Sequence, residues 1–186
     1  LLRDPAGKAL EPYRVLPLEE EFPPNVLTRF GIADIRNYDA IEVRDSLAFF
    51  APLWDDGSGQ LTSNSWTTSD RVAANLDLLS LANVRYLIST REPLAGVFAR
   101  HGSVSVVQIE HWGRVLQSPG DDPFGDGQGN QIDHRVIEYR PGRIVADVEI
   151  PTGRTLLVFS QTFMPGWGAT IDGVRRDVQP FRGAFV

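Results

Sequence analysis

The hydrophobic pattern of the chain changes across a segment rich in glycine and aspartate. Residues 119–131 (PGDDPFGDGQGNQ) contain four Gly, two Pro and three Asp, a composition typical of a linker or long loop. Before this segment, helix-spaced apolar residues alternate with short apolar runs, and after it apolar residues recur at every second position. We therefore predict an α/β subdomain over 1–118 and an antiparallel, jelly-roll-like β-sandwich over 132–186, together an α+β fold.

A first helix is predicted from apolar residues that share one helical face: Val43, Leu47, Phe50 and Trp54. We expect Asp39 to be its N-cap. We expect Pro52 to end it near Phe50 or Ala51, because proline disfavours helical geometry in the residue before it.

A second helix is predicted from Ser69, as its N-cap, to Ala82. Asp70 lies in the first turn, where negative charge is favourable, and Asn83 can end the helix in a left-handed conformation. The helix has one apolar stripe: Val72, Leu76 and Leu79, widened by Leu78 and Leu81.

Several short strands are also predicted in the first part. Tyr13–Leu18 is one, with Pro17 at an edge or a strand end. Val84–Ile88 follows the second helix directly. Val104–Ile109 and Trp112–Leu116 are predicted to form a hairpin, although the joint lacks the favoured turn residues.

The second part is predicted to consist of strands only. Residues 144–150 alternate between apolar and acidic, and Leu156–Phe159 is apolar on both faces, which predicts a central strand covered on both sides. Asp172-Gly173 predicts a type I′ turn that joins the alternating residues 167–171 to 174–178.

The charge balance excludes one class of function. The chain has 18 basic and 24 acidic residues, a formal net charge of −6. A sequence-independent nucleic-acid binder needs a basic surface, so we expect no nucleic-acid partner. The absence of cysteine excludes disulfides, thiol nucleophiles and cysteine-based zinc sites.

The familiar catalytic and metal-binding motifs do not occur in the sequence. It has no G-x-S-x-G elbow, no H-E-x-x-H and no phosphate-binding glycine loop, and its three histidines lack metal-ligand spacing. The oxygen ligands of the Gly/Asp-rich segment are a candidate calcium site, but they lack the terminal Glu of an EF-hand, and we favour an acidic loop without a metal: Asp121, Asp122, Asp126 and Asn130. We predict no catalytic residue, no metal and no cofactor in this chain.

Neither a membrane span nor a signal peptide is predicted. The longest uncharged stretch, 155–171, is interrupted by polar residues and breakers, and Arg3, Asp4 and Pro5 follow only two leucines.

Tryptophans are the candidate ligand-binding residues, because an indole can stack on a sugar ring. Trp54 lies on an apolar helical stripe, which favours a core position. Trp167 follows Pro165-Gly166 at the entry to a strand, where it either packs at the sandwich edge or faces a groove, and packing is favoured.

Three segments, in order, resemble the YfhO-like bacterial membrane proteins. Asn75–Ser89 (NLDLLSLANVRYLIS) is similar to that family's leucine-rich helix and Val-Lys/Arg-Tyr-Leu-Ile strand, and Phe163–Gly173 (FMPGWGATIDG) to its Tyr-Tyr-Pro-Gly-Trp-x-Ala-x-Val-Asp-Gly hairpin. Residues 24–39 resemble its Pro-Asn … Tyr-Gly-Ile-x-Asp-Ile-x-Gly-Tyr-Asp stretch, with Asn37 in place of glycine. Phe163 and Met164 replace the two tyrosines of the hairpin motif.

The resemblance implies an extracytoplasmic C-terminal domain of a multi-spanning bacterial membrane protein that resembles C-superfamily, lipid-linked-sugar glycosyltransferases. It implies that the catalytic carboxylate lies on an early loop outside this chain. The expected partners are the protein's own transmembrane region and a glycan or lipid-linked sugar. Within the similar segments, the candidate binding residues are Tyr38, Asp39, Trp167 and Asp172.

Three functions remain open from the sequence. The first is a non-catalytic accessory domain that contacts acceptor glycan. The second is a secreted carbohydrate-binding or hydrolytic domain, and the third is a structural or partner-docking module. Asp172 has two interpretations as well, a turn residue, which we favour, or a ligand-binding residue.

Overall fold

The protein has an α+β fold. A computed structural model describes residues 13–18, 22–36, 44–54, 67–91, 97–109, 115–119, 130–131, 133–140, 142–150 and 155–181. The described helices are α1 (Arg44–Trp54), α2 (Ser69–Ala74) and α3 (Leu76–Leu81), with a 3-10 helix at Val26–Phe30. The strands are β1 (Arg14–Pro17), β2 (Ala33–Asp34), β3 (Val84–Ser89), β4 (Val97–His101), β5 (Val104–Gln108), β6 (Val115–Pro119), β7 (Asn130–Gln131), β8 (His134–Arg140), β9 (Arg143–Val148), β10 (Thr155–Phe159), β11 (Ala169–Ile171) and β12 (Val174–Arg176).

The first part of the chain contains a five-stranded mixed sheet in the order β2-β1-β3-β5-β4. β1 is parallel to both β2 and β3, whereas β5 is antiparallel to β3 and β4. Among the described residues, β2 pairs with Arg14 and Val15 of β1 and does not reach Pro17. Pro17, at the end of β1, therefore has a paired strand, β3, on one side only. This confirms the predicted position of Pro17, because proline cannot donate a ladder hydrogen bond.

α1 continues through Pro52 to Trp54, so the prediction that proline ends this helix was wrong. Leu53 and Trp54 are 0% and 1% exposed. Their burial outweighs the loss of one backbone hydrogen bond in the last turn. The expected N-cap, Asp39, lies outside the described residues.

The second predicted helix is two short helices, α2 and α3, separated at Asn75. Its N-cap is Thr68 rather than Ser69: the Thr68 hydroxyl accepts a hydrogen bond from the Arg71 backbone N–H at 3.4 Å. Leu76, expected on the buried stripe, is 45% exposed, because the break at Asn75 changes the helical phase. Asn83 has φ 57°, which confirms the left-handed helix end.

The predicted hairpin of 104–109 with 112–116 was wrong. β5 forms its hairpin with the preceding strand β4, which was not predicted from the sequence, and the turn between them contains Gly102 at φ 59°. β6 instead pairs with β10 and β7. The joint at 110–111 has no turn residues, whereas Gly102 supplies a left-handed residue at little cost.

The strands after β5 form three antiparallel groups, namely the sheet β10-β6-β7 and the hairpins β8–β9 and β11–β12. Within the described residues β10 is at the edge of its sheet, and Leu156 is 38% exposed, so the prediction of a central strand covered on both sides was wrong. The predicted loop 119–131 is bounded by strands, since β6 includes Pro119 and β7 is Asn130–Gln131.

The hydrophobic core lies between the first sheet and the helices. Its fully buried members include Leu16, Leu53, Leu79 and Val84, and Val158 of β10 belongs to the same cluster. Arg14 adds a polar link between the same two parts of the chain. Its Nη1 donates hydrogen bonds to the Ala82 carbonyl at 2.7 Å and to the Ser160 carbonyl and hydroxyl at 3.1 and 3.0 Å. β1 and the end of β10 are therefore held together by both apolar and polar contacts.

A buried ion pair closes β2. Arg36 donates from Nε and Nη2 to the two carboxylate oxygens of Asp34 at 3.1 and 2.8 Å, and from Nη2 to the Phe22 carbonyl at 2.7 Å. Both side chains of the pair are fully buried. A bidentate, buried pair of this kind fixes the geometry of the strand end. No helix in the described part of the chain is long and apolar enough to cross a membrane.

Candidate functional site

Trp167 lies in the connection between β10 and β11, directly after the Pro165-Gly166 turn. Gly166 has φ 103°, a conformation that favours glycine. The Trp167 indole Nε1 donates to the Thr162 carbonyl at 3.2 Å, and its backbone N–H donates to the Met164 carbonyl at 3.3 Å. Trp167 is half-buried, and the hydrogen bond from Nε1 restricts the orientation of the indole.

The hairpin β8–β9 supplies the opposite wall. Ile137 is an extra residue in β8, because Val136 pairs with Ala146 and Glu138 with Val145. Beyond this bulge, Tyr139 pairs with Ile144, on the face that also carries Val136. The bulge therefore turns the aromatic ring of Tyr139 onto the mostly apolar face of the hairpin.

These two elements enclose an open groove of about 120 Å³. The Tyr139 hydroxyl lies 3.5 Å from Gln161 Oε1 across the groove. The groove is smaller than the engineered apolar cavity of about 150 Å³ that holds benzene, so a six-membered ring would be only partly enclosed in it. Two aromatic side chains, an amide and a cation meet in it; the lining residues are Tyr139, Arg140, Gly142, Ile144, Gln161 and Trp167.

At the end of the β8–β9 hairpin, two cations surround one carboxylate on the face opposite Tyr139 and Ile144. Glu138 accepts from Arg140 Nε at 2.5 Å and from Arg143 Nε at 2.8 Å. The hydrogen bond from Arg143, together with the positive charges of both guanidinium groups, holds the pKa of the Glu138 carboxyl below its usual value, although partial desolvation opposes the change. At neutral pH the three side chains carry a net charge of +1.

The structure places the predicted site residues differently. Trp167 lines the groove. Asp172 and Gly173 have φ 50° and 78° and join β11 to β12, with Ile171 opposite Val174, which confirms the type I′ turn. Asp172 is not among the residues that line the groove. Tyr38 and Asp39 lie outside the described residues.

Most of the residues that line the groove were not predicted from the sequence. Tyr139 looked like one aromatic among many in a strand, and its direction depends on a bulge that no sequence pattern predicts. Gln161 has no local signal at all, since only the fold brings it beside the hairpin. Arg140 and Arg143 had one available signal, because they flank the Pro141-Gly142 pair that is typical of a tight turn.

The other candidate site residues do not form a second site among the described residues. No group of three or more metal-ligating side chains is found among the described residues, and the segment from Asp121 to Asp126 lies outside them. Trp54 is a core residue, as predicted.

An aromatic cluster lies at the start of β3. Tyr13 and Tyr86 pack edge to face with ring centroids 5.3 Å apart, and the Arg85 guanidinium lies 5.5 and 5.1 Å from the two centroids. Burial, together with the neighbouring Tyr86, raises the pKa of the Tyr13 hydroxyl, and Arg85 partly opposes this. A guanidinium at this distance from a ring centroid is within the range of a cation–π interaction.

No protein-family model, curated protein or solved structure matches the chain.

Proposed function

We propose that the chain is a non-catalytic accessory domain that contacts an acceptor glycan through the groove beside Trp167. The observation that carries this proposal is the combination of two aromatic side chains, Trp167 and Tyr139, with the polar groups of Gln161 and Arg140 in a groove of about 120 Å³. Small-molecule sites in proteins typically combine apolar walls with a few polar groups that set orientation. A sugar ring matches this surface because it has apolar C–H faces and a rim of hydroxyl groups.

The size of the groove supports contact with one sugar residue and not with an extended chain. A ring that stacks on Trp167 leaves its hydroxyl groups facing Gln161 and Arg140, which supply acceptor and donor atoms. Because Trp167 is anchored through Thr162 and Met164, the stacking surface is formed before the ligand arrives. A preformed surface reduces the entropy that is lost on binding.

The membrane context of the proposal rests on the resemblance of three segments to the YfhO-like proteins. In this proposal the domain lies on the extracytoplasmic side of a bacterial membrane and accompanies a lipid-linked-sugar glycosyltransferase. The catalytic carboxylate of that enzyme belongs to another part of it. The absence of familiar nucleophile, metal and phosphate motifs from the sequence supports a domain without catalysis of its own.

The β-sandwich is also part of the proposal. Its support is that every described strand pairing after residue 115 is antiparallel. In such a sandwich, the sheet β10-β6-β7 and the hairpin β8–β9 would form facing layers, with the groove at their edge. An experimental structure of the full chain tests this arrangement directly.

The binding proposal is tested with an oligosaccharide array probed with the full chain, followed by titrations of Trp167→Ala. We expect Trp167→Ala to weaken the binding of any captured glycan about tenfold, which corresponds to the loss of one aromatic stacking surface. Met164→Ala is the matched control, since Met164 is in the same turn and its side chain is 50% exposed. The proposal fails if no glycan is captured, or if the two variants bind equally well while both remain folded.

A second candidate function, docking on a partner protein, is favoured by the β11–β12 hairpin. Ile171 and Val174 are 38% and 54% exposed at its end, and the strands of this hairpin pack mainly against each other. In this alternative the partner is the protein's own transmembrane region. The gene sequence upstream of Leu1 distinguishes the settings: several apolar spans support an accessory domain, and a cleavable signal peptide supports a secreted carbohydrate-binding or hydrolytic protein.

A further inference from the structure

We infer that Arg14 positions the walls of the groove by holding residues 160–162 against the end of α3. This inference rests on the proposed function, which makes the groove a ligand site, and it adds a positioning residue to that site. Arg14 lies on β1 in the first sheet and is not among the residues that line the groove. The link between the two is the segment 160–162, which directly follows β10.

Arg14 contacts both the helix end and this segment through a single nitrogen atom. Its Nη1 donates to the carbonyl of Ala82, the residue that caps the C-terminal end of α3, at 2.7 Å. Carbonyls at a helix end have no partner inside the helix, and an arginine can supply one. The same nitrogen lies 3.1 Å from the Ser160 carbonyl oxygen and 3.0 Å from its hydroxyl oxygen. Because Ser160 is fully buried, little water competes for these bonds.

A tight turn at Ser160 transmits this contact to the groove. The Gln161 backbone N–H donates to the Phe159 carbonyl at 2.6 Å, which closes a three-residue turn with Ser160 at its centre. Ser160 is not among the residues with positive φ, so the turn is of the common, inverse type. So short a turn leaves few dihedral angles free, and the position of Ser160 therefore sets the direction in which the chain leaves β10.

The next two residues of the segment each contact one aromatic wall of the groove. The Gln161 side chain lines the groove, and its Oε1 lies 3.5 Å from the Tyr139 hydroxyl. The Thr162 carbonyl accepts the hydrogen bond from Trp167 Nε1 at 3.2 Å. Three consecutive residues thus join the first sheet to Tyr139 and to Trp167. A shift at the first of these residues therefore changes the spacing of the two walls.

The first test needs no ligand and follows the indole N–H signals of the four tryptophans in a nitrogen–proton correlation spectrum of the full chain. Trp167→Phe identifies the signal of Trp167. We expect Arg14→Met to shift that signal and to make its hydrogen exchange about three- to tenfold faster, because the Thr162 carbonyl is no longer held in place. Arg14→Lys should restore most of the wild-type behaviour, since its ammonium group offers three donors to the same three acceptors.

The second test titrates each variant with a glycan captured on the array, at a temperature where all of them are folded. Arg14→Met should weaken binding about three- to tenfold, and Ser160→Ala, which keeps the carbonyl acceptor, should weaken it less. The double variant should bind no more weakly than Arg14→Met, because both substitutions act on one contact. Leu53→Ala is the matched control. It opens a cavity in the same core without removing a hydrogen bond of Arg14, so it should bind like wild type.

The outcomes separate the inference from the proposed function. An unchanged Trp167 signal in Arg14→Met overturns the inference, whatever the array shows. Equal losses of affinity in Arg14→Met and Leu53→Ala also overturn it, because Arg14 would then act only through overall stability. If the Trp167 signal responds as expected but no glycan is captured, the positioning by Arg14 is supported and the glycan-binding function is overturned. Should Arg14→Met not fold, the same criteria apply to Ser160→Ala, which removes a single contact.

Discussion

The first sheet with its helices differs from the hairpins β8–β9 and β11–β12 in how deeply its side chains are buried and in how much charge it carries. In the first region, β1 and β3 are packed against α1 and α3, with Leu16, Leu79 and Val84 fully buried. In the hairpins, every described residue is at least partly exposed, and charged pairs lie along β8 and β9. A two-stranded hairpin alone is marginally stable, so these hairpins depend on the body of the protein. The comparison indicates that stability is concentrated in one region and surface chemistry in the other.

The largest expected effect is a cavity in the first region. Leu79→Ala should lower the free energy of unfolding by about 2–5 kcal/mol, because the removed side chain is fully buried among other core residues. Urea denaturation followed by circular dichroism measures this. Val174→Ala on the β11–β12 hairpin is the control. Because Val174 is 54% exposed, this substitution should lower the free energy of unfolding by less than about 0.5 kcal/mol. Similar losses in the two variants would contradict the division between the regions.

A smaller effect is expected where the two regions meet. Arg14→Met keeps much of the aliphatic length but removes the guanidinium that bonds to Ala82 and Ser160. We expect a loss of about 1.5–3 kcal/mol in urea denaturation, typical of hydrogen bonds from a charged group. Because Ser160 precedes Gln161, which lies beside Trp167, the tryptophan emission of the chain should change as well. Ser160→Ala should show a smaller loss, of about 0.5–1.5 kcal/mol. An unchanged stability in Arg14→Met would show that apolar packing alone joins the regions.

In the β11–β12 hairpin, we expect stability to depend more on backbone conformation than on side-chain contacts. Gly173 has φ 78°, and a Cβ added at this position would meet no atom within 4 Å, so Gly173→Val is opposed by backbone strain alone, about 1–3 kcal/mol. Gly168→Ala is the control, since it has equal space and no positive φ. Asp172→Asn should be nearly neutral, because asparagine is favoured at the same turn position. Thermal melts of the three variants compare them, and a wild-type melt for Gly173→Val would exclude the turn's requirement for glycine.

The smallest expected effect concerns pH. The pKa of Glu138 is lowered in the folded state, mainly by its hydrogen bond with Arg143, so its stabilising contribution is present above the ordinary glutamate pKa. The contribution is lost as the pH falls through the lowered value. At low salt, we expect wild type to melt at a higher temperature than Glu138→Gln at about pH 6. This difference should decrease as the pH is lowered and be absent at about pH 3. A difference that persists at the acid end would assign the effect to packing instead of charge.

The sequence predicted local features well where one residue type has few alternatives. Asn83, Pro17 and the Asp172-Gly173 pair occupy the predicted conformations, because positive φ values and missing backbone donors restrict the choice strongly. The strand after the second helix was also predicted from its apolar run. Trp54 was correctly expected in the core from its helical spacing.

The sequence predicted poorly wherever a distant partner decides the outcome. Pro52 lies inside α1 because burial of Leu53 and Trp54 outweighs its local preference. β6 pairs with β10, about 40 positions further on, and no local pattern distinguishes that partner from β5. For the groove, Trp167 was a candidate from its motif, but Gln161 and Tyr139 are brought to it by a bulge and by long-range packing. Tyr38 and Asp39 remain predictions.

The contact between Arg14 and Ser160 has a consequence for how the chain reaches its native state. The two residues are 146 positions apart, so β1 leaves the ribosome long before the end of β10 exists. At about 5–20 residues per second, that interval lasts on the order of 10–30 s. During this time the apolar residues of β1 lack their contact with Val158, and Arg14 lacks its hydrogen-bond acceptors on Ser160. Contacts of such high sequence separation slow folding, since a large loop must close before they form. A nascent chain that stops short of residue 160 would therefore expose an unfinished core, and chaperone binding to β1 should persist until that point in synthesis.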